Sequence, residues 1–299
     1  MTLRILLAAA MVCGSVRAQG APEIHVFPVQ GNVSMLVGPG GNVAVQAGKE
    51  GIVLVDTQTA AAAPQVMAAI RRLSDRPILW VINTSLDADH VSGNEALIKL
   101  GGSTDASERA RVIAHEQVLN RLVAAGPARV ADAASINDTY FRSPKDFLFN
   151  GEAVMVYHLP AAHTDGDSIV LFRRSDVISS GDIFTPDRYP VIDLANGGSV
   201  QGLIEGLNKI LEMAVAGKYQ EGGTFVIPGH GRLCDEADVV EFRDMVTILR
   251  DRIEDLRKKG MTLEQVKAAR PSRDYDTQYS GSPDAFVEAI YKSLSARKP

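Results

Sequence analysis

The sequence predicts an α+β fold, an αββα sandwich of two mixed β-sheets packed face to face with helices outside. Two observations carry this expectation. Short β-rich runs and amphipathic stretches alternate as strands then helices, twice over. Polar, ligand-type residues gather where the strands stop, as expected when strand-end loops converge on one cleft.

The elements follow in order. Residues 24–58 divide into four strands, IHVFPV, NVSMLVG, NVAVQAG and GIVLVDT, cut by Gly-rich turns such as GPGGN. Val66, Ile70 and Leu73 then keep helical spacing behind Pro64, which suits the first turn of a helix. PILWVINT is apolar almost throughout, as in a strand buried on both faces, and a short helix from about Asn94 to Leu100 comes after it. RVIAHEQVLNRL reads as a strand leading into a helix. DFLF-NGE-AVMVYHL reads as two strands about a turn, and SIVLFRR and DVISSGD as two more. Ser199 is placed to cap a helix marked by Val200, Leu203, Ile204, Leu207, Ile210 and Leu211. TFVIPGHG is a strand stopped by a turn. Phe242, Val246, Leu249, Ile253 and Leu256 mark a long helix that ends at Gly260. Thr262 and Gln265 fit a capping box, and after a polar tail a last helix runs from about Asp284 to Ser295. Residues from about 261 to 299 thus read as a C-terminal helical extension of one domain, 19–299.

The first residues are read separately. Arg4 precedes the apolar run ILLAAAMVCGSV, and Val16-Arg17-Ala18 supplies the small residues of a cleavage site. Residues 1–18 read as a secretory signal peptide cleaved after Ala18, which implies a periplasmic or secreted protein. The run is short for a bilayer span, and Val12 stands before Cys13 where a lipid-attachment signal needs a small residue. No stable membrane anchor is therefore expected after cleavage. Loss of Cys13 would leave Cys234, read as a small buried hydrophobe, and no intrachain disulfide. A net charge of −5 leaves no electrostatic footprint for nucleic acid. Oligomeric state is not legible.

The candidate chemistry sits at the strand ends. Asp56 ends GIVLVD; Asp87, Asp89 and His90 follow PILWVINT; His163 lies in LPAAHTDGDS; Asp182 ends VISSGD; His230 lies in VIPGHG. Imidazoles and carboxylates are the expected ligands of zinc or iron, and a catalytic zinc keeps one position open for water. Asp56 reads as structural or as support behind a ligand, and Asp167 as a hydrogen-bond partner of a metal-bound histidine. Asn83 and Thr84 shape the loop, and Asp165 serves a turn. His115 and His158 read as structural, and His25 falls in the first strand, where it could line the cleft mouth. Arg250–Lys259 reads as a solvated helix face.

In order and wording, these stretches resemble the metallo-β-lactamase superfamily over roughly residues 24–260. That family's H-x-H-x-D-H loop falls on Ser85-Leu86-Asp87-Ala88-Asp89-His90, and PAAHTDGDS, SSGD and PGHG supply His163, Asp182 and His230. The resemblance implies the αββα fold and a hydrolase that works through a metal-activated water. It implies one metal site made by Asp89, His90 and His230, with Asp182 bridging or belonging to it. Ser85 and Asp87 stand where the family has histidines, so the other site is expected to be degraded, left with Asp87, His163, a share of Asp182 and at best a water-mediated Ser85. One firm zinc site is expected, with a second weak or absent, and iron or manganese as alternatives. Asp89 is the candidate catalytic residue, orienting the nucleophilic water as well as binding. The expected reaction is hydrolysis of an ester, thioester, lactone or lactam bond in a small-molecule substrate. Two other readings stay open: an iron-dependent oxidoreductase of the same fold, and a binding protein without turnover.

Overall fold

The computed structural model describes residues 23–220 and 222–296. The expected signal peptide, its cleavage point after Ala18 and Cys13 lie outside the described residues.

One sheet has seven strands in sequence order: β1 (His25–Gln30), β2 (Val33–Gly38), β3 (Gly41–Ala47), β4 (Ile52–Val55), β5 (Ile78–Ile82), β6 (Arg111–His115) and β7 (Asp138–Tyr140). Neighbours from β1 to β4 are antiparallel, and from β4 to β7 parallel. The change follows the connections. Tight turns reverse the chain, whereas parallel neighbours need a crossover. The crossovers here are α1 (Ala63–Arg71), α2 (Ala88–Val91) with α3 (Asn94–Gly101), and α4 (Glu116–Ala124) with α5 (Val130–Ser135).

The second sheet holds β8 (Lys145–Phe149), β9 (Glu152–Leu159), β10 (Asp167–Phe172), β11 (Val177–Gly181) and β12 (Phe225–Pro228), in the order β12-β11-β10-β9-β8. It is antiparallel except for β11 and β12, which are parallel and joined through α6 (Val200–Met213). The chain finishes with α7 (Glu236–Lys258), α8 (Leu263–Ala268) and α9 (Pro283–Ala296). Two mixed sheets flanked by helices is the fold class the sequence predicts.

Strand alternation builds three apolar layers. Val53, Val55 and Ile82 meet Val154, Val156 and Phe172 between the sheets. On the outer face of the first sheet, Ile52 and Leu54 pack with Val66 and Ile70 of α1 and Leu122 of α4. Outside the second sheet, Ile169 and Ile178 pack with Leu203 and Leu207 of α6, Val246 of α7 and Phe286 of α9. Ser199 caps α6, its hydroxyl accepting from the Gly202 amide at 3.0 Å, and Thr262 and Gln265 form the expected capping box of α8. Three elements were not expected from sequence, one of them α2, which lies in the stretch read as a loop. α5 and β7 occupy 130–140, where short segments give no clear period; β7 is placed by parallel pairing with β6.

This topology sets up the site. β4 and β5 run parallel, and β9, β11 and β12 share one direction because β10 opposes both β9 and β11. The C-terminal ends of these five strands lead into the segments that carry Asp56, Asp87 to His90, His163, Asp182 and His230.

Candidate metal centre

The loop after β5 is held by buried polar side chains. Asn83 donates to the His90 carbonyl at 2.9 Å and to Asn94 Oδ1 at 3.1 Å, and Asn94 returns a bond to Asn83 at 2.8 Å. Thr57 donates to the same His90 carbonyl at 3.0 Å. All three side chains are fully buried, so each must find partners inside the protein, and together they fix the backbone of the ligand-bearing turn. The Arg129 guanidinium secures the opposite side of the loop by donating to the Leu86 carbonyl at 2.5 Å. Asn83 and Thr84 thus shape the loop as the sequence suggests. Thr57, Asn94 and Arg129 are partners that sequence reasoning missed.

His90 is oriented from behind. Its Nδ1 lies 2.8 Å from Asp56 Oδ2, and Asp56 also accepts from the Thr84 amide at 2.8 Å and the Thr84 hydroxyl at 2.6 Å. Asp56 reaches this position from a left-handed backbone, φ 63°, which aspartate tolerates better than most residues. An Nδ1–H donated to a carboxylate leaves Nε2 as the lone-pair nitrogen. Nε2 is buried without a hydrogen-bond partner, as is Oδ1 of Asp182, 3.5 Å away.

Asp182 Oδ1 is central. It stands 3.5 Å from His90 Nε2 and 3.5 Å from His230 Nε2. The PGHG turn can approach so closely only because residue 229 is glycine: a Cβ there would lie 2.1 Å from Asp182 Oδ1. Asn42, at the start of β3, holds that turn through Nδ2 bonds to the carbonyls of Pro228 (2.9 Å) and Gly231 (3.0 Å), while its amide donates to Gly229 (2.8 Å). His230 Nε2 lies 3.2 Å from Asp89 Oδ2.

The remaining residues complete a second group. Asp87 occupies the N-cap position of α2, yet its carboxylate makes no cap bond and lies instead 3.4 Å from His163 Nε2. Ser85 is buried and its hydroxyl accepts from the Asp87 amide at 3.2 Å, a bond that shapes the turn. Asp167 is close to His163, but at 3.6 Å from Nδ1 it is beyond hydrogen-bond range. Its oxygens are taken by the Thr164 amide (2.7 Å) and hydroxyl (2.6 Å), so the expected bond to a ligand histidine is not formed.

The donor atoms fall into two groups, Asp89–His90–His230 and Asp87–His163–Asp182, with all atoms of a group within 4.8 Å of one another. Zinc–ligand distances of about 2.0–2.1 Å give a coordination tetrahedron with edges of about 3.3 Å. The N···O separations of 3.2, 3.4 and 3.5 Å match those edges, and the two longer ones are poor as hydrogen bonds. The residues therefore fit a divalent ion. Asp87 completes the second group geometrically, so that site is richer in carboxylate than the family pattern, with three donor groups still in place.

Electrostatics points the same way. Burial opposes the charged form of His163, but the carboxylates of Asp167, Asp182 and Asp87 outweigh it and raise the pKa to about 9. Burial likewise opposes charge on His90, yet Asp56 and Asp182 hold it well above the ordinary value. Burial would raise Asp182, but His90, His230 and His163 hold it far below the carboxylate range. Asp89 is also lowered, His230 and His90 overcoming its burial, whereas for Asp87 burial prevails and the carboxyl is raised. Carboxylates outnumber imidazoles here, so the centre draws in positive charge, and protons and a metal ion compete for the same atoms.

These groups form one wall of a cleft of about 680 Å³. The facing wall comes from Arg188 and Val191 to Leu194, after β11, and from Ala285, Glu288, Ala289 and Lys292 of α9. Sequence reasoning placed the C-terminal helices but not their role as a cleft wall. The other histidines lie elsewhere. His115 and His158 stack on each other at 3.4 Å, His158 Nε2 being 2.8 Å from the Asp165 carbonyl. His25 is exposed on β1, near Glu23, and is not among the cleft-lining residues. Asp165 pairs with Arg121 at 2.6 Å. Cys234 is buried, as expected, and burial pushes its thiol pKa up.

The model of the Metallo-beta-lactamase superfamily matches residues 36–230, and the chain belongs to that family, whose members bind divalent metals, usually zinc, and are mostly hydrolases. A search of the curated proteins returned no match. Among solved structures, the stereoselective inverting sec-alkylsulfatase Pisa1 from Pseudomonas sp. is similar at 16% identity and a TM-score of 0.68, covering 90% of this chain and 50% of that one. A double mutant of the same sulfatase is similar at 17% identity and a TM-score of 0.69, covering 91% of this chain and 50% of that one. The chain thus spans half the length of these alkylsulfatases. A metallo-beta-lactamase from Pontibacter korlensis is similar at 16% identity and a TM-score of 0.58, covering 75% of this chain and 99% of that one. At such identities the likeness is one of fold.

Proposed function

We propose that the protein is an exported, metal-dependent hydrolase of small molecules with an ester, thioester, lactone or lactam bond. One observation carries this reading. His90 Nε2 and Asp182 Oδ1 are buried without hydrogen-bond partners and stand at coordination-edge distance from each other. Leaving such atoms unpaired is costly unless something else satisfies them. Asp89, His90 and His230 would hold the firmer ion, Asp182 would reach both positions, and Asp87 with His163 would hold a weaker second ion. A divalent ion there supplies Lewis acidity, polarising the scissile group and making hydroxide available near neutral pH.

The chain's own residues do the rest. Asp56 fixes the ring of His90 and so the direction of its Nε2. Asp89, partly exposed to the cleft and held below the ordinary carboxylate range, stays ionised to orient the attacking water by accepting its hydrogen bond. The oxygen-rich group around Asp87 supports a second reading, in which iron or manganese fills that position and the chemistry is oxidative. The test is a panel of 4-nitrophenyl esters, a thioester, lactones, a lactam and a secondary alkyl sulfate, run with zinc and with a chelator. Chelator-sensitive turnover that disappears in His230→Ala supports the proposal. Turnover equal in parent and Asp89→Ala overturns the role given to Asp89, and no turnover across the panel in a zinc-loaded protein overturns the hydrolase.

A further inference from the structure

The cleft wall facing the candidate ligands carries acidic and basic groups, and most are already paired. Lys267 and Lys292 both bind Glu288, at 2.5 and 2.6 Å. The Asn196 amide and side chain donate to Asp193 at 3.0 and 2.6 Å. Asp187, beside Arg188 in sequence, faces Arg232 at 3.6 Å instead. Arg188 is different. The residue lines the cleft, and among the described residues its side chain has neither a carboxylate within ion-pair distance nor a hydrogen bond.

Its backbone is nevertheless well held. The Arg188 amide donates to the Thr185 carbonyl at 3.3 Å, and the flanking residues are tied to the segment before α9 by Ser280 N to Asp187 O and Tyr189 N to Ser280 O, both 3.0 Å. Arg188 thus stands half-buried on a fixed strut. It also lines a second cavity of about 570 Å³ that shares Val191, Ile192, Ala285 and Ala289 with the cleft and is otherwise mostly apolar, with Tyr189 and Phe286 in its walls. The two cavities share these residues in their walls, and Arg188 lines both.

We propose that Arg188 anchors an anionic group of the substrate, and that the groove between Tyr189–Ile192 and α9 takes an apolar chain attached to it. The substrate class is then an anionic amphiphile whose scissile bond lies on the side of the metal ligands. This rests on the hydrolase reading for the site of cleavage, and on Arg188 and the groove alone for binding. A guanidinium forms bidentate bonds to planar or tetrahedral oxyanions alike, so carboxylate, sulfate and phosphate share this chemistry. Each CH₂ that a chain buries adds to hydrophobic stabilisation, and a groove of this size has room for several.

The experiment is calorimetric titration of the zinc-loaded full chain with butanoate, hexanoate, hexyl sulfate, hexyl phosphate and hexanol. Binding of at least one anion tenfold or more tighter than hexanol is expected, and the strongest of the three identifies the head group. Arg188→Gln should erase that preference with zinc content unchanged, and Arg188→Lys should restore part of it. Ala289→Phe, which fills the groove, should remove the gain from butanoate to hexanoate while leaving the preference for charge. If Arg188→Gln keeps the full preference, the anion is held by the metal centre and the Arg188 proposal fails while the hydrolase reading stands. If the chain takes up no zinc, the hydrolase reading fails, and the same titration of the metal-free chain still decides on Arg188. Equal binding of anions and hexanol overturns the proposal outright.

Discussion

Asp56 shows most clearly what a single residue contributes. It binds no ion in the arrangement described, yet one of its oxygens fixes His90 and both fix Thr84. Asp56→Asn keeps the shape but removes the charge that orients the ring. Loss of such a partner lowers metal affinity by about 10–100-fold. Competition with a chromophoric chelator should show that loss; an unchanged affinity would mean that His90 is oriented without Asp56. The double change Ser85→His/Asp87→His tests the unusual loop. If the position is a degraded form of the family site, zinc uptake and hydrolysis should rise together. A fall in existing activity would mean that the carboxylate is tuned to its own chemistry. These residues were legible because ligand types recur at strand ends in a fixed order. Asn42 was not, since its bonds to 228 and 231 span more than 180 residues and leave no local pattern.

At the scale of elements, α9 is both a core helix and a cleft wall. Phe286, Val287, Ile290 and Leu294 are buried against α6 and α7, while Ala285, Glu288, Ala289 and Lys292 line the cleft. The sequence reveals this helix through its pattern, but not its packing partner, which periodicity does not encode. Removing residues 283–299 would delete four buried apolar side chains and uncover the surfaces of α6 and α7 they pack on, each side chain contributing about 1.5–3 kcal/mol. Their sum is comparable to the whole stability of a typical domain, about 5–15 kcal/mol. The truncated chain is therefore expected to be insoluble or to lack a cooperative melting transition. A soluble, cooperatively melting product would show that α9 is an appendage. The strands and long helices were legible from their periods. α5 and β7 were not, because six- and three-residue elements carry too few residues to show one.

The whole molecule couples metal, protons and stability. Without a metal, His163 is raised from an ordinary 6.5 to about 9. Such a group stabilises the metal-free fold fully below pH 6.5, and this contribution is lost as pH rises through 9. A metal ion displaces that proton, so metal affinity should rise with pH across the same window. The melting temperature of zinc-loaded protein minus that of chelated protein should accordingly widen from about pH 6 to about pH 9. A constant difference would show that metal uptake releases no protons. The fold class and the order of the candidate ligands were readable at this scale, because the family pattern runs along most of the chain. The cleft as a volume was not, since its second wall comes from residues that carry no ligand chemistry.

Elemental analysis of the full chain, purified without chelator and then dialysed, tests the central claim most directly. One zinc per chain should be retained, with a second taken up on titration and lost first. Asp87→Ala should abolish the second alone, and His230→Ala the first. A chain that carries no metal and takes up none on titration, while remaining folded, would contradict the account.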